Sequence, residues 1–77
     1  MAMIGRFVEG QMERNSVHDE IEAKYVIFEH DGRSFLQIDT YGRASREMPG
    51  KKSQSIQLDR DSGLALIKIL KRAFHVD

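Results

Sequence analysis

Leu58 closes a run in which apolar residues recur at every second position. Asp59 opens one in which they recur every three to four, and no linker separates the two. That change of period, from strand to helix across one residue, restricts the chain to architectures in which a helix leaves directly from the end of a sheet strand. The strand-like run Ser53-Gln54-Ser55-Ile56-Gln57-Leu58 is preceded by another, Phe35-Leu36-Gln37-Ile38-Asp39-Thr40-Tyr41, and the two flank a loop that ends in Met48-Pro49-Gly50-Lys51-Lys52.

Both runs divide cleanly by parity. Leu36, Ile38 and Thr40 share one face with Gln54, Ile56 and Leu58, and this set reads as core beneath a helix. Phe35, Gln37, Asp39 and Tyr41 share the other face with Ser53, Ser55 and Gln57, a mixture of rings and polar groups that suits water or a partner. Upstream, alternation from Ile21 to Phe28 predicts a further strand, and His30-Asp31-Gly32 supplies a hairpin turn in which glycine takes the positive φ. Ile4, Phe7 and Val8 fit either a first strand or a helical turn, so residues 1–17 are either a first strand or a mobile segment. Downstream, Asp59 has the short acceptor of an N-cap and Asp61 adds charge in the first turn. The spacing predicts a helix over 60–74, with Leu66, Ile67, Leu70, Ala73 and Phe74 turned to the sheet and Lys68, Lys71 and Arg72 turned out.

The expected fold is therefore α+β: a small antiparallel sheet of three to four strands followed by one C-terminal helix, all in a single domain of 77 residues. A sheet with one helix leaves its second face open, and in so short a chain a homodimer is the usual way to cover it. Absence of cysteine gives no sign of an oxidising compartment, no apolar run is long enough to span a membrane, and the first residues lack the pattern of a secretory signal. A cytoplasmic location is the resulting expectation.

Charge sharpens the functional reading. Twelve bases and twelve acids cancel, which argues against a general polyanion binder. The balance is uneven along the chain, however. Glu13 to Asp31 holds six acids against two bases, whereas Arg33 to Lys52 holds five bases (Arg33, Arg43, Arg46, Lys51, Lys52) against two acids. Such polarity can present a cationic surface at zero net charge.

Catalytic chemistry finds no support. His18, His30 and His75 lie far apart without metal-ligand spacing, and the serines have neither a histidine base close in sequence nor a nucleophile-elbow motif. Pro49-Gly50-Lys51-Lys52 leads into a strand and so is no phosphate-binding loop. The expectation is a protein that is not an enzyme and needs no cofactor or metal. Rings beside cations suit single-stranded nucleic acid, where bases stack and phosphates pair with Lys and Arg. Arg33, Phe35, Tyr41, Arg43, Arg46, Lys51 and Lys52 are the candidate binding residues. The same exposed rings would serve a protein-interaction module or accessory subunit that docks through an open sheet face.

The chain resembles the single-stranded-DNA-binding domain of the transcriptional coactivator family called positive cofactor four. The likeness runs through Tyr25-Val26-Ile27-Phe28, the Asp31-Gly32 turn, Leu36-Gln37-Ile38-Asp39-Thr40-Tyr41, and Pro49-Gly50-Lys51-Lys52 followed by Ser55-Ile56-Gln57-Leu58 and a capped helix. The resemblance implies a curved four-stranded antiparallel sheet and one helix, dimerised to form grooves for unwound DNA, with a role in transcription or DNA maintenance. It also implies stacking or phosphate contacts at Tyr41, Arg43, Lys51 and Lys52. Where that family tends to carry a tryptophan after the tyrosine, this chain has Gly42. The Gln-Ile-Asp-Thr-Tyr-Gly and Pro-Gly-Lys-Lys-Ser-Gln-Ser-Ile-Gln stretches are similar also to those of short bacterial proteins with a formyltransferase-like label, but formyl transfer needs a folate pocket and an acid/base group, and so short a sequence offers no candidate for either.

Overall fold

The structure of the chain, a computed structural model, describes residues 1–41 and 52–77, with Lys52 through its backbone alone. In chain order it has strand β1 (Ala2–Ile4), β2 (Ala23–His30), β3 (Arg33–Tyr41) and β4 (Lys52–Leu58), then helix α1 (Arg60–Phe74). The strands form one sheet in the order β1-β4-β3-β2. The arrangement is α+β, as the periodicity predicts, with the helix at the expected bounds.

The β2–β3 hairpin turns on two residues, Asp31 at φ 52° and Gly32 at φ 76°. Positive φ at both central positions is the type I′ geometry, whose twist matches that of the flanking strands. So short a turn fixes the register: His30 faces Arg33, Phe28 faces Phe35, and Ala23 faces Thr40. β3 and β4 are also antiparallel, with Leu36 opposite Leu58, Ile38 opposite Ile56 and a shift of register after Thr40. Parity therefore sorts the sheet as the sequence suggests. Tyr25, Ile27, Leu36, Ile38, Ile56 and Leu58 lie on an apolar face, and Phe28, Phe35, Gln37, Asp39, Ser55 and Gln57 lie on a mixed one.

Two expectations need correction. The sheet is mixed rather than purely antiparallel, because β1 pairs in parallel with β4, Ala2 to Ile56 and Ile4 to Leu58. Three alternating residues carry no mark of direction, and β4 offers the free edge on which the strand can add. Residues 5–22 then form no regular element, and within them only Phe7 is partly shielded.

The second correction concerns the helix. Its closest packing is on β4, the strand that it follows, and it does not cover the sheet. Ile67, Leu70 and Phe74, assigned inward by their spacing, are 48%, 43% and 69% exposed. On the sheet, Tyr25 and Ile27 are as open, and Leu58 is the one apolar side chain buried among the described residues. The Cα radius of gyration is 14.8 Å, against about 11 Å for a compact chain of this length. Periodicity identifies an apolar stripe but not the surface that will cover it. An open cleft of about 750 Å³ separates the helix start from the hairpin, with Ile27, Leu36 and Leu58 on one side and Asp59 and Gly63 on the other.

The start of the helix is closed by a reciprocal cap. Asp59 Oδ1 accepts from the Ser62 backbone N–H at 2.9 Å, and the Asp59 N–H donates to Ser62 Oγ at 3.0 Å. Capping of this type satisfies donors that the first helical turn leaves unpaired. Hydrogen bonds donated to the Asp59 carboxylate by the Ser62 backbone N–H and, at 3.1 Å, by the Ser62 hydroxyl hold that carboxyl below its ordinary pKa, and the positive charge of Arg33 lowers it further. A carboxyl with a lowered folded-state pKa stabilises the fold above its unfolded value, near 3.8, and that stabilisation is lost as pH falls through the lower folded value. Asp59→Asn keeps a capping acceptor but not the charge. Its thermal stability should therefore vary less than the parent's between about pH 2 and 5, which circular dichroism melts can measure.

Candidate nucleic-acid interface

The mixed face is built by the two antiparallel pairings. At one end, the hairpin register brings Phe28 and Phe35 together, their rings stacked with centroids 5.5 Å apart and planes 23° from parallel. Offset stacking of this kind suits the ring quadrupoles. The guanidinium of Arg33 sits 5.1 Å from the Phe35 ring centre, and one of its nitrogens is 3.5 Å from Asp59 Oδ2. Arg33 thus links the aromatic pair to the helix cap while its side chain stays largely exposed. At the other end, Lys24 Nζ lies 5.2 Å from the Tyr41 ring centre. A cation over a ring is attracted by the negative π face, and both cations here remain within reach of an incoming anion.

Between the two ends lies a polar ladder across β3 and β4. Gln57 Nε2 donates to Gln37 Oε1 at 2.9 Å, and Gln37 Nε2 donates to Asp39 Oδ1 at 2.9 Å. Ser55 Oγ donates to the same oxygen of Asp39. Asp39 and Ser55 are buried, 3% and 5% exposed. The sequence assigns Gln37, Asp39, Ser55 and Gln57 correctly to one face. It does not reveal that two of them are removed from water and held in a network, which is how a buried polar group avoids the cost of lost hydration.

The candidate residues fall into three groups. Arg33, Phe35 and Tyr41 share the mixed face, Arg33 beside Phe35 at one end and Tyr41 at the other, with Arg33 exposed and both rings half-buried. Lys52 pairs with Tyr41 through the β-ladder. Arg43, Arg46 and Lys51 lie outside the described residues. Lys24, Phe28, Gln37 and Gln57 were missed as site residues. A signal for Lys24 and Phe28 was present: a two-residue Asp-Gly turn sets Phe28 opposite Phe35, and parity then brings Lys24 to the same side. The pairing of β3 with β4 is closed by a longer connection, whose length does not fix register, so the Gln37–Gln57 contact had no such signal.

Among the described residues, no cluster of three or more His, Cys, Asp or Glu is placed to hold a metal ion. None of the described helices is long and apolar enough to cross a membrane. No protein-family model, no curated protein and no solved structure matches the chain.

Proposed function

We propose that the chain binds single-stranded nucleic acid on the mixed face of its sheet and does so as a homodimer. The observation that carries this reading is one continuous sheet face with stacked rings at one end, a tyrosine at the other, and a cation beside each. Unpaired bases can stack on Phe35 and Tyr41 while Arg33 and Lys24 neutralise phosphates. A duplex cannot use these rings without unstacking its own bases, so the face favours single strands. The short motifs shared with the positive cofactor four family support the same reading, and a role in transcription or DNA maintenance follows from that likeness.

The dimer accounts for the other face. One chain carries both an uncovered apolar sheet face and an uncovered apolar helix stripe, formed by Leu64, Ile67, Leu70 and Phe74. Each surface is what the other lacks, and a two-fold axis would let the helix of each protomer cover the sheet of its partner. The mixed face then remains free for ligand.

A labelled oligonucleotide should gain fluorescence anisotropy with micromolar protein at low salt, and a duplex of the same sequence should compete poorly. No change with any single strand would end the proposal and leave the open faces to a protein partner. Arg33→Ala should lower the slope of log affinity against log salt by about 0.7, the counterion share of one phosphate contact on a single strand.

A further inference from the structure

The aromatic end of the mixed face is not flat. Met3, Phe28, His30, Phe35 and Gln57 line a hollow of about 300 Å³ beside the stacked rings. At roughly 30 Å³ per water it has the volume of about ten waters, room for one base. Its floor is ring and thioether, whereas Gln57 brings the amide group. β1 supplies Met3 and β4 supplies Gln57, so the parallel pairing of those two strands, Met3 opposite Gln57, completes the wall.

The orientation of that amide is determined from a distance. Asp39 Oδ1 accepts from both Ser55 Oγ and Gln37 Nε2. An acceptor at that point requires Gln37 to turn its NH₂ towards Asp39 and its carbonyl the other way, where it accepts from Gln57 Nε2 at 2.9 Å. Gln57 is therefore the last member of a one-way chain. One of its N–H groups is engaged, and no described residue hydrogen-bonds its carbonyl or its second N–H. A donor and an acceptor side by side match the edge of a base, which presents both kinds of group within one plane.

We propose that Gln57, its amide oriented by the Asp39–Gln37 chain, hydrogen-bonds the edge of one unpaired base seated in the hollow against the Phe28/Phe35 stack. The inference rests on the single-strand reading above and adds base discrimination to it. Phosphate contacts and stacking are tolerant of sequence, whereas an amide locked in one orientation is not. Gln57 is the reading group. Gln37 and Asp39 are positioning residues that act through it.

The test compares affinities of the intact protein for four homopolymeric DNA strands and one abasic strand of equal length, at fixed salt. The parent should bind the best homopolymer about tenfold tighter than the abasic strand, and should rank the homopolymers over a range of about fivefold or more. Gln57→Met keeps length and removes the amide. It should retain the preference over the abasic strand yet compress the ranking to within about twofold. Gln37→Met should compress the ranking in the same way while touching no base, and melting curves of both variants establish that they fold. A Gln57→Met protein with the parental ranking overturns the inference, as does a parent that binds all homopolymers alike. A parent that binds abasic and base-bearing strands equally also overturns it, although phosphate binding survives. Absence of binding to every strand removes the single-strand reading and this inference together.

Discussion

An aspartate in place of Ile67 should weaken self-association by about a hundredfold or more, and an aspartate in place of Ile27 should do the same from the sheet side. In the isolated chain these side chains are 48% and 72% exposed, and polar substitutions at open positions usually change stability by no more than about 0.5 kcal/mol. If the chain acted alone, both variants would melt much as the parent does. Covered by a second copy, each carboxylate would lose its hydration with no partner, at an effective cost of several kcal/mol per ion, and the two-fold axis would present that cost twice. Dimerisation should also make the parent's melting temperature rise with protein concentration, because association stabilises the folded form by mass action. Light scattering and melts over a hundredfold range of concentration decide the matter. A monomeric parent with a concentration-independent transition would remove the dimer, and so would two variants that associate like the parent.

Substituting Leu70 belongs to this experiment. Were Leu70 part of a finished core, truncation to alanine would cost roughly 2–5 kcal/mol whatever the protein concentration. At 43% exposure its side chain has little to lose in the single chain. A cost that grows on dilution would place its burial at the contact between protomers.

The contrast shows which parts of the molecule a sequence can disclose. Asp31-Gly32, the Asp59 cap and the parity of β3 and β4 are local: each depends on residues within a few positions, and each appears where the pattern puts it. The sense of β1 and the distance of the helix from the sheet are not local. A three-residue strand fits an edge in either direction, and an amphipathic stripe looks identical whether it folds back on its own sheet or reaches another chain. The site divides along the same line. Phe35 and Tyr41 share a face by parity, and a two-residue turn is enough to bring Phe28 to Phe35. The Gln57–Gln37–Asp39 chain crosses β3 and β4, so it becomes visible only when their register is known.

Phe35 is the side chain on which the binding proposal is most exposed to test. It stacks on Phe28, carries Arg33 over its ring and lines the base-sized hollow. Phe35→Leu keeps an apolar group on the strand but removes the flat ring, so it should reduce affinity for single strands by about 5- to 150-fold, the equivalent of one stacking interaction of about 1–3 kcal/mol. Stacking releases no counterions, hence the loss should be the same at every salt concentration. Arg33→Ala removes charge and should act chiefly at low salt. Parallel salt titrations of the two variants separate the roles: a uniform offset for Phe35→Leu, a shallower slope for Arg33→Ala. Equal slopes and equal intercepts for parent and Phe35→Leu would show that no base rests on this ring. The mixed face would then bind phosphates alone or serve a protein partner, and loss of a pulled-down polypeptide on Phe35→Leu, with oligonucleotide affinity unchanged, would identify the second of these.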